Sequence, residues 1–223
     1  MNDLWQQVEQ TIQKYDLLKH PFYQAWTMGE LTHKQLAFYG SQYLHHVAAF
    51  PTYLTALHSR LPEGTTRKAV LANAVDEEID GVSHSDMWRQ FVDGMNAEAA
   101  APAGEKLPEV AALVNTFKEM SSKDAAAKAL GAFYAYESQV PRVAAEKLSG
   151  LKSKYGADDR TCQYFAVHTT ADIHHSNVWR NLIDRSVEND PASASEVLAG
   201  VEQAARALWV ALDGIEAARV QIH

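Results

Sequence analysis

Apolar residues return every three to four positions along nearly all of this 223-residue chain, and no stretch alternates as a half-buried strand would. A chain with that period buries its apolar stripes by packing helix on helix. The expected fold is therefore all-α, a single-domain bundle of seven to eight helices over residues 1–223.

Local signals place the elements. A first helix covers about residues 3–17, and HPFYQAW (20–26) starts a short second one with Pro21 in its first turn. Thr32 and Gln35 form a capping box, with Leu31 and Leu36 as staple, opening a helix that runs to about Leu61. Another runs from Thr65 to Asp80, is interrupted by Gly81, and resumes from His84 to Asp93. Residues 96–109 are Ala/Pro/Gly-rich and predict a surface loop. Helices follow at 109–120, 123–154 and 158–187, and Asp190 and Pro191 open the last, to about 220. Pro51 and Pro141 fall inside helical patterns, where each removes one hydrogen bond and predicts a kink.

The net charge of −8 and pI near 5.6 argue against nucleic acid as a partner. No stretch approaches the roughly 18 apolar residues of a membrane span. The first residues, MNDLWQQVEQ, lack a secretory signal pattern, so the expected location is cytoplasmic. The single cysteine, Cys162, forms no internal disulfide and reads as core.

Chemistry concentrates in three segments. HTTADIHH (168–175) sets His168, Asp172 and His175 at i, i+4 and i+7, within roughly 60° of one another on a continuous helix. Two imidazoles and a carboxylate on one stripe suit a metal, although Asp172 also has Arg180 within pairing range. Glu137 lies in the apolar run GAFYAYESQVP, and DEEIDGVSH carries Glu77 and His84. Residues seven apart stand roughly 10 Å apart along a helix, whereas paired metals lie about 3.5–4 Å apart. Glu77 and His84 therefore converge only if their helix deforms, which Gly81 makes cheap. Spacing leaves Asp80 with His84 as an alternative pair. His174 lies off the stripe, and His45 and His46 are read as non-ligands.

Taken together these residues resemble the heme-oxygenase-like diiron oxidases of the TenA/PqqC-like superfamily. The ligands there come as Glu-x6-His, a single Glu, and His-x3-Asp-x2-His, matching Glu77–His84, Glu137 and His168–Asp172–His175. The resemblance, and not the spacing, selects Glu77 over Asp80. Within that group HPFYQAW, GELTHKQLAFYGSQYLHHVAAFPTYLTALHSR, YAYESQVPRVAAEK and the histidine run resemble the CADD-like proteins over residues 20–185. That resemblance implies formation of para-aminobenzoate for folate biosynthesis at a dinuclear centre, Fe/Fe or Mn/Fe, using dioxygen and an external reductant. It implies that Tyr23 gives the aromatic ring and Lys147 the amino group, in a self-sacrificing reaction, and that the protein is a homodimer served by an external electron donor. Read bottom-up, Tyr23 is an ordinary core tyrosine and Lys147 an ordinary solvated lysine. Tyr39, Tyr43, Tyr134 and Tyr136 are either aromatic core or carriers of an electron or proton, with Tyr39, Tyr43 and Tyr136 the carrier candidates.

Other functions fit parts of the pattern. A diiron oxygenase acting on a diffusible amine or fatty acid would use the same six ligands and spare Tyr23. A thiaminase-like enzyme would need Cys162 as nucleophile and leaves the ligands unexplained. A non-enzymatic interaction protein would have no capacity for iron or manganese.

Overall fold

Caps written in the sequence set where the helices begin. The computed structural model describes residues 2–79, 81–95 and 105–222, and all regular structure among them is helical. In chain order the helices are α1 (Asn2–Lys14), α2 (Pro21–Met28), α3 (His33–Arg60), α4 (Thr65–Glu78), α5 (His84–Met95), α6 (Pro108–Ser122), α7 (Ala126–Glu137), α8 (Val140–Lys154), α9 (Asp159–His168), α10 (Ala171–Asn189) and α11 (Ser193–Arg219). A 3-10 turn at Leu17–Lys19 joins α1 to α2. Asp80 and residues 96–104 lie outside the described residues, so the alternative ligand Asp80 and most of the expected 96–109 loop have no structural description.

The reciprocal Thr32–Gln35 box opens α3 as expected. Pro51 lies inside α3, which continues through it to Arg60. Pro141 behaves differently from the expectation: it occupies the first turn of α8, not the interior of a long helix. With no N–H to return to the Glu137 carbonyl, it ends one helix and starts the next. The 123–154 pattern is thus two helices divided at Ser138–Gln139.

The 158–187 pattern is divided too, at Thr169–Thr170. Their hydroxyls donate to the carbonyls of Ala166 and Val167, competing with the helical ladder at a β-branched pair. His168 therefore closes α9 while Asp172 and His175 sit in the first turns of α10, and the three do not share one continuous helical stripe.

α11 lies along α7 at close range. A Cβ on Gly131 would stand 2.4 Å from the Val197 carbonyl oxygen, and one on Gly200 2.0 Å from that of Lys128, so both must be glycine. α3 packs against α4, α5 and α6, α9 against α5 and α8, and α10 against α7. The buried core this creates is rich in aromatic rings, including Trp26, Trp88, Trp179, Tyr39 and Tyr53.

Candidate metal centre

Five helix ends bring the six predicted ligands together. Glu77 closes α4 and His84 opens α5; Gly81 between them takes φ 80°, a left-handed turn that a side chain would disfavour. The helix has ended where the spacing required it to deform, and His84 Nδ1 lies 2.8 Å from Glu77 Oε2. Glu137 closes α7. His168 closes α9, and its ring lies 4.5 Å from that of His84.

All six side chains are buried. Their donor atoms form two clusters, Glu77–His84–His168 and Glu77–Glu137–His175, each with atoms within 4.8 Å of one another. Glu77 belongs to both, so its carboxylate would be available to either ion. Asp172 stands beside them, its Oδ1 3.7 Å from His175 Nδ1.

These atoms fit a metal pair. His175 Nδ1 and Asp172 Oδ2 are buried with no hydrogen-bond partner among the described residues, and His84 Nδ1 lies against the Glu77 carboxylate. Such atoms are costly unless something binds them. Three imidazoles and three carboxylates, without a thiolate, suit iron or manganese. On two of the three histidines the outer nitrogen is already engaged. His168 Nδ1–H donates to the Tyr164 carbonyl at 2.7 Å, which leaves Nε2 free. His175 Nε2–H donates to Asp76 at 3.2 Å, which turns Nδ1 inward. Glu137 accepts from the Trp179 indole and, at 3.3 Å, from the Asn73 amide.

Electrostatics follow from burial. Burial pushes Glu137 well above the usual carboxylate range and Asp172 up to about 6. Burial pushes His168 down to about 3. His175 goes the other way, to about 10: burial opposes its charge, but Asp172, Glu137 and Asp76 outweigh it. Without metal, protons balance this acidic cluster, and bound cations would take over that task.

A second group lies next to the first. Tyr23 (α2) and Lys147 (α8) are both buried, and Lys147 Nζ is 4.4 Å from the Tyr23 ring centre. Burial pushes the Tyr23 phenol up and Lys147 well below the ordinary lysine value. Lys147 is thus not a solvated lysine, and α8's fresh start at Val140, not a kink in a longer helix, carries it there. A cavity of about 10 Å³ touches Glu77, His168 and Asp172, and another of about 20 Å³ touches Tyr23 and Lys147. Tyr136 and Tyr164 line both.

Among the carrier candidates, Tyr39 meets Tyr23 through hydroxyls 3.1 Å apart, and Tyr43 and Tyr136 line the cavity walls. Tyr134 hydrogen-bonds Glu9 and packs on Trp5 instead. His174 is exposed, His46 is buried among aromatic rings, and Arg180 covers the Trp5 ring. Sequence reasoning missed Tyr164, which stacks on His168 with ring centres 3.8 Å apart, and also Asn73, Asp76 and Trp179. Tyr164, Asn73 and Trp179 had a signal, each lying four residues from a ligand (His168, Glu77 and His175) on the same helical face.

The profile of the iron-containing redox enzyme family matches residues 37–209. The 4-aminobenzoate synthase of Nitrosomonas europaea is 40% identical, the alignment covering 96% of this chain and 91% of that protein. The 4-aminobenzoate synthase of Chlamydia pneumoniae is 36% identical over 91% of this chain and 90% of its own. Among solved structures, a TenA homologue from Pseudomonas syringae superposes with TM-score 0.83 at 19% identity, covering 96% of this chain and 93% of that one, which shows the heme-oxygenase-like fold.

Proposed function

The chain belongs to the family of iron-containing redox enzymes, and from that premise we propose that it forms 4-aminobenzoate by oxygen-dependent consumption of its own Tyr23 and Lys147. Glu77, His84, Glu137, His168, Asp172 and His175 hold two metal ions, Fe/Fe or Mn/Fe. Bound there, the ions supply activation of dioxygen with electrons from an external reductant. The protein's part is to hold the ligand atoms, exclude water and place one tyrosine and one amine side by side.

The observation that carries this reading is the pairing of Tyr23 with Lys147. They lie 124 positions apart in sequence, yet the amine stands 4.4 Å over the phenol ring, one tyrosine layer from the ligand cluster. Burial keeps the amine well below its ordinary pKa, which favours a nucleophile over an ammonium ion. The spaces of about 10 and 20 Å³ suit water or dioxygen. An amine or fatty-acid substrate needs a pocket an order of magnitude larger, which favours the protein's own side chain over a diffusible one.

The test is anaerobic loading with iron, or manganese plus iron, followed by oxygen and reductant. Mass spectrometry then follows residues 23 and 147 and the small-molecule product. Ring-labelled tyrosine and amine-labelled lysine in the protein are expected to appear in 4-aminobenzoate, in at most one equivalent per chain. Full product formation by Tyr23→Phe would refute the self-sacrificing reaction.

A further inference from the structure

Three polar groups stand in line inside the aromatic cage. Tyr23 Oη lies 3.1 Å from Tyr39 Oη, and Tyr39 Oη lies 2.5 Å from Lys147 Nζ. The groups facing Lys147 come from four helices: Tyr23 and Trp26 on α2, Tyr39 and Tyr43 on α3, Trp88 on α5 and Phe165 on α9, all with ring centres within 5.7 Å. The titratable groups around it are the phenols of Tyr23, Tyr39 and Tyr43, those of Tyr136 and Tyr164 across the shared cavity, and the His168 imidazole, whose charge would oppose an ammonium; among the described residues no carboxylate joins that ring set. An amine buried without a counter-charge sheds its proton. Its nitrogen then has a lone pair for the Tyr39 O–H, and the Tyr39 oxygen has one for the Tyr23 O–H. In that arrangement the line is polarised from Tyr23 to Lys147.

We propose that Tyr39 is a proton carrier that couples oxidation of Tyr23 to protonation of Lys147. The inference rests on the proposed use of Tyr23. One electron leaves the Tyr23 ring for a one-electron oxidant, in the enzyme the oxygen-activating metal pair. The Tyr23 O–H bond breaks and its proton joins the Tyr39 oxygen, while the Tyr39 O–H bond breaks and that proton joins the Lys147 nitrogen. Tyr23 ends as a neutral phenoxyl, Tyr39 as a phenol again, and Lys147 as an ammonium ion. Without such an acceptor the oxidised phenol would have to release a proton into a dry aromatic core. The ammonium that forms faces the surrounding rings, which stabilise a cation that has no carboxylate. Lys147 therefore acts first as base, and it must give up this proton again before its nitrogen can form a bond.

Tyr39→Phe keeps the ring and removes the carrier. In the metal-loaded full-length chain, loss of Tyr23 after oxygen and reductant is expected to slow at least tenfold, as followed by intact-protein mass spectrometry. The wild-type rate should fall as pH is lowered through the ionisation of Lys147, and the Tyr39→Phe rate should be flat over that range. Nitrogen NMR of 15N-lysine-labelled, metal-free protein reads that ionisation without any turnover, and Lys147 is expected to be a neutral amine at pH 7. A Tyr39→Phe variant with the wild-type rate and pH profile overturns the proposal, as does an ammonium signal for Lys147 at pH 7. If wild-type Tyr23 survives the reaction intact, the proposed function falls, and the NMR titration still decides the protonation state on which the carrier depends.

Discussion

Replacing Lys147 by methionine should make the metal-free protein more stable at neutral pH while abolishing product formation. The amine is buried among six rings, and burial holds its pKa well below 10.5. In the unfolded chain a lysine titrates at about 10.4. For the neutral amine proposed above, folding removes a proton at pH 7, at a cost of about 1.4 kcal/mol for each pH unit below the unfolded pKa. Over about 3.4 units that amounts to roughly 4.6 kcal/mol. The Tyr39 hydrogen bond offsets about 1–1.5 kcal/mol. Methionine fills similar apolar space, so the net gain from Lys147→Met is about 3 kcal/mol.

The sign of the pH dependence makes this separable from ordinary repacking. Between the folded and unfolded pKa values the unfolded chain binds one more proton, so the wild type gains stability as pH rises. The gap between variant and wild type should narrow by about 2 kcal/mol from pH 8 to 9.5. Urea unfolding of both proteins at pH 7, 8 and 9.5, without metal, measures it, and the other titrating groups cancel in the difference. A gap that stays constant across that range would refute a neutral Lys147, and a variant destabilised by several kcal/mol would point to a buried ammonium ion.

Three further outcomes are expected. Burial pushes His46 down to about 3, while the unfolded value is near 6.5, so the wild type should lose about 2 kcal/mol more than His46→Phe between pH 7 and pH 5; equal losses in paired denaturation curves would show that His46 takes up its proton freely in the fold. Asp76→Asn should weaken anaerobic manganese binding about 10- to 100-fold by calorimetry, because Asp76 orients His175; unchanged affinity would leave Asp76 without a part in the site. Glu77→Ala should reduce metal content below one ion per chain by elemental analysis, since Glu77 belongs to both donor clusters; retention of one tightly bound ion would mean that Glu77 serves a single metal.

Part of this protein is decided within a few residues along the chain. The helical period, the Thr32–Gln35 box and the first-turn proline of α2 act through neighbours three or four positions away, so the all-α fold and most helix starts are legible in the sequence. The residue types of the candidate centre are legible too, because buried carboxylates and imidazoles in apolar runs are uncommon without a partner. The breaks at Ser138–Gln139 and Thr169–Thr170 were harder to see, since helical periodicity runs straight across both.

Convergence belongs to the tertiary structure. On a continuous helix, Glu77 and His84 would stand roughly 10 Å apart; two helix ends and a left-handed glycine bring them to 2.8 Å. Lys147 shows the limit most clearly. A lysine in an amphipathic segment reads as solvated, and nothing within four residues says otherwise. Its burial, its lost proton and its contact with Tyr39 come from rings on α2, α3, α5 and α9, placed by packing between segments 18 to 124 residues apart. Hydration is local to the surface that packing leaves exposed, so the sequence by itself determined which groups are available, and the tertiary structure alone decided which of them are dry, paired and reactive.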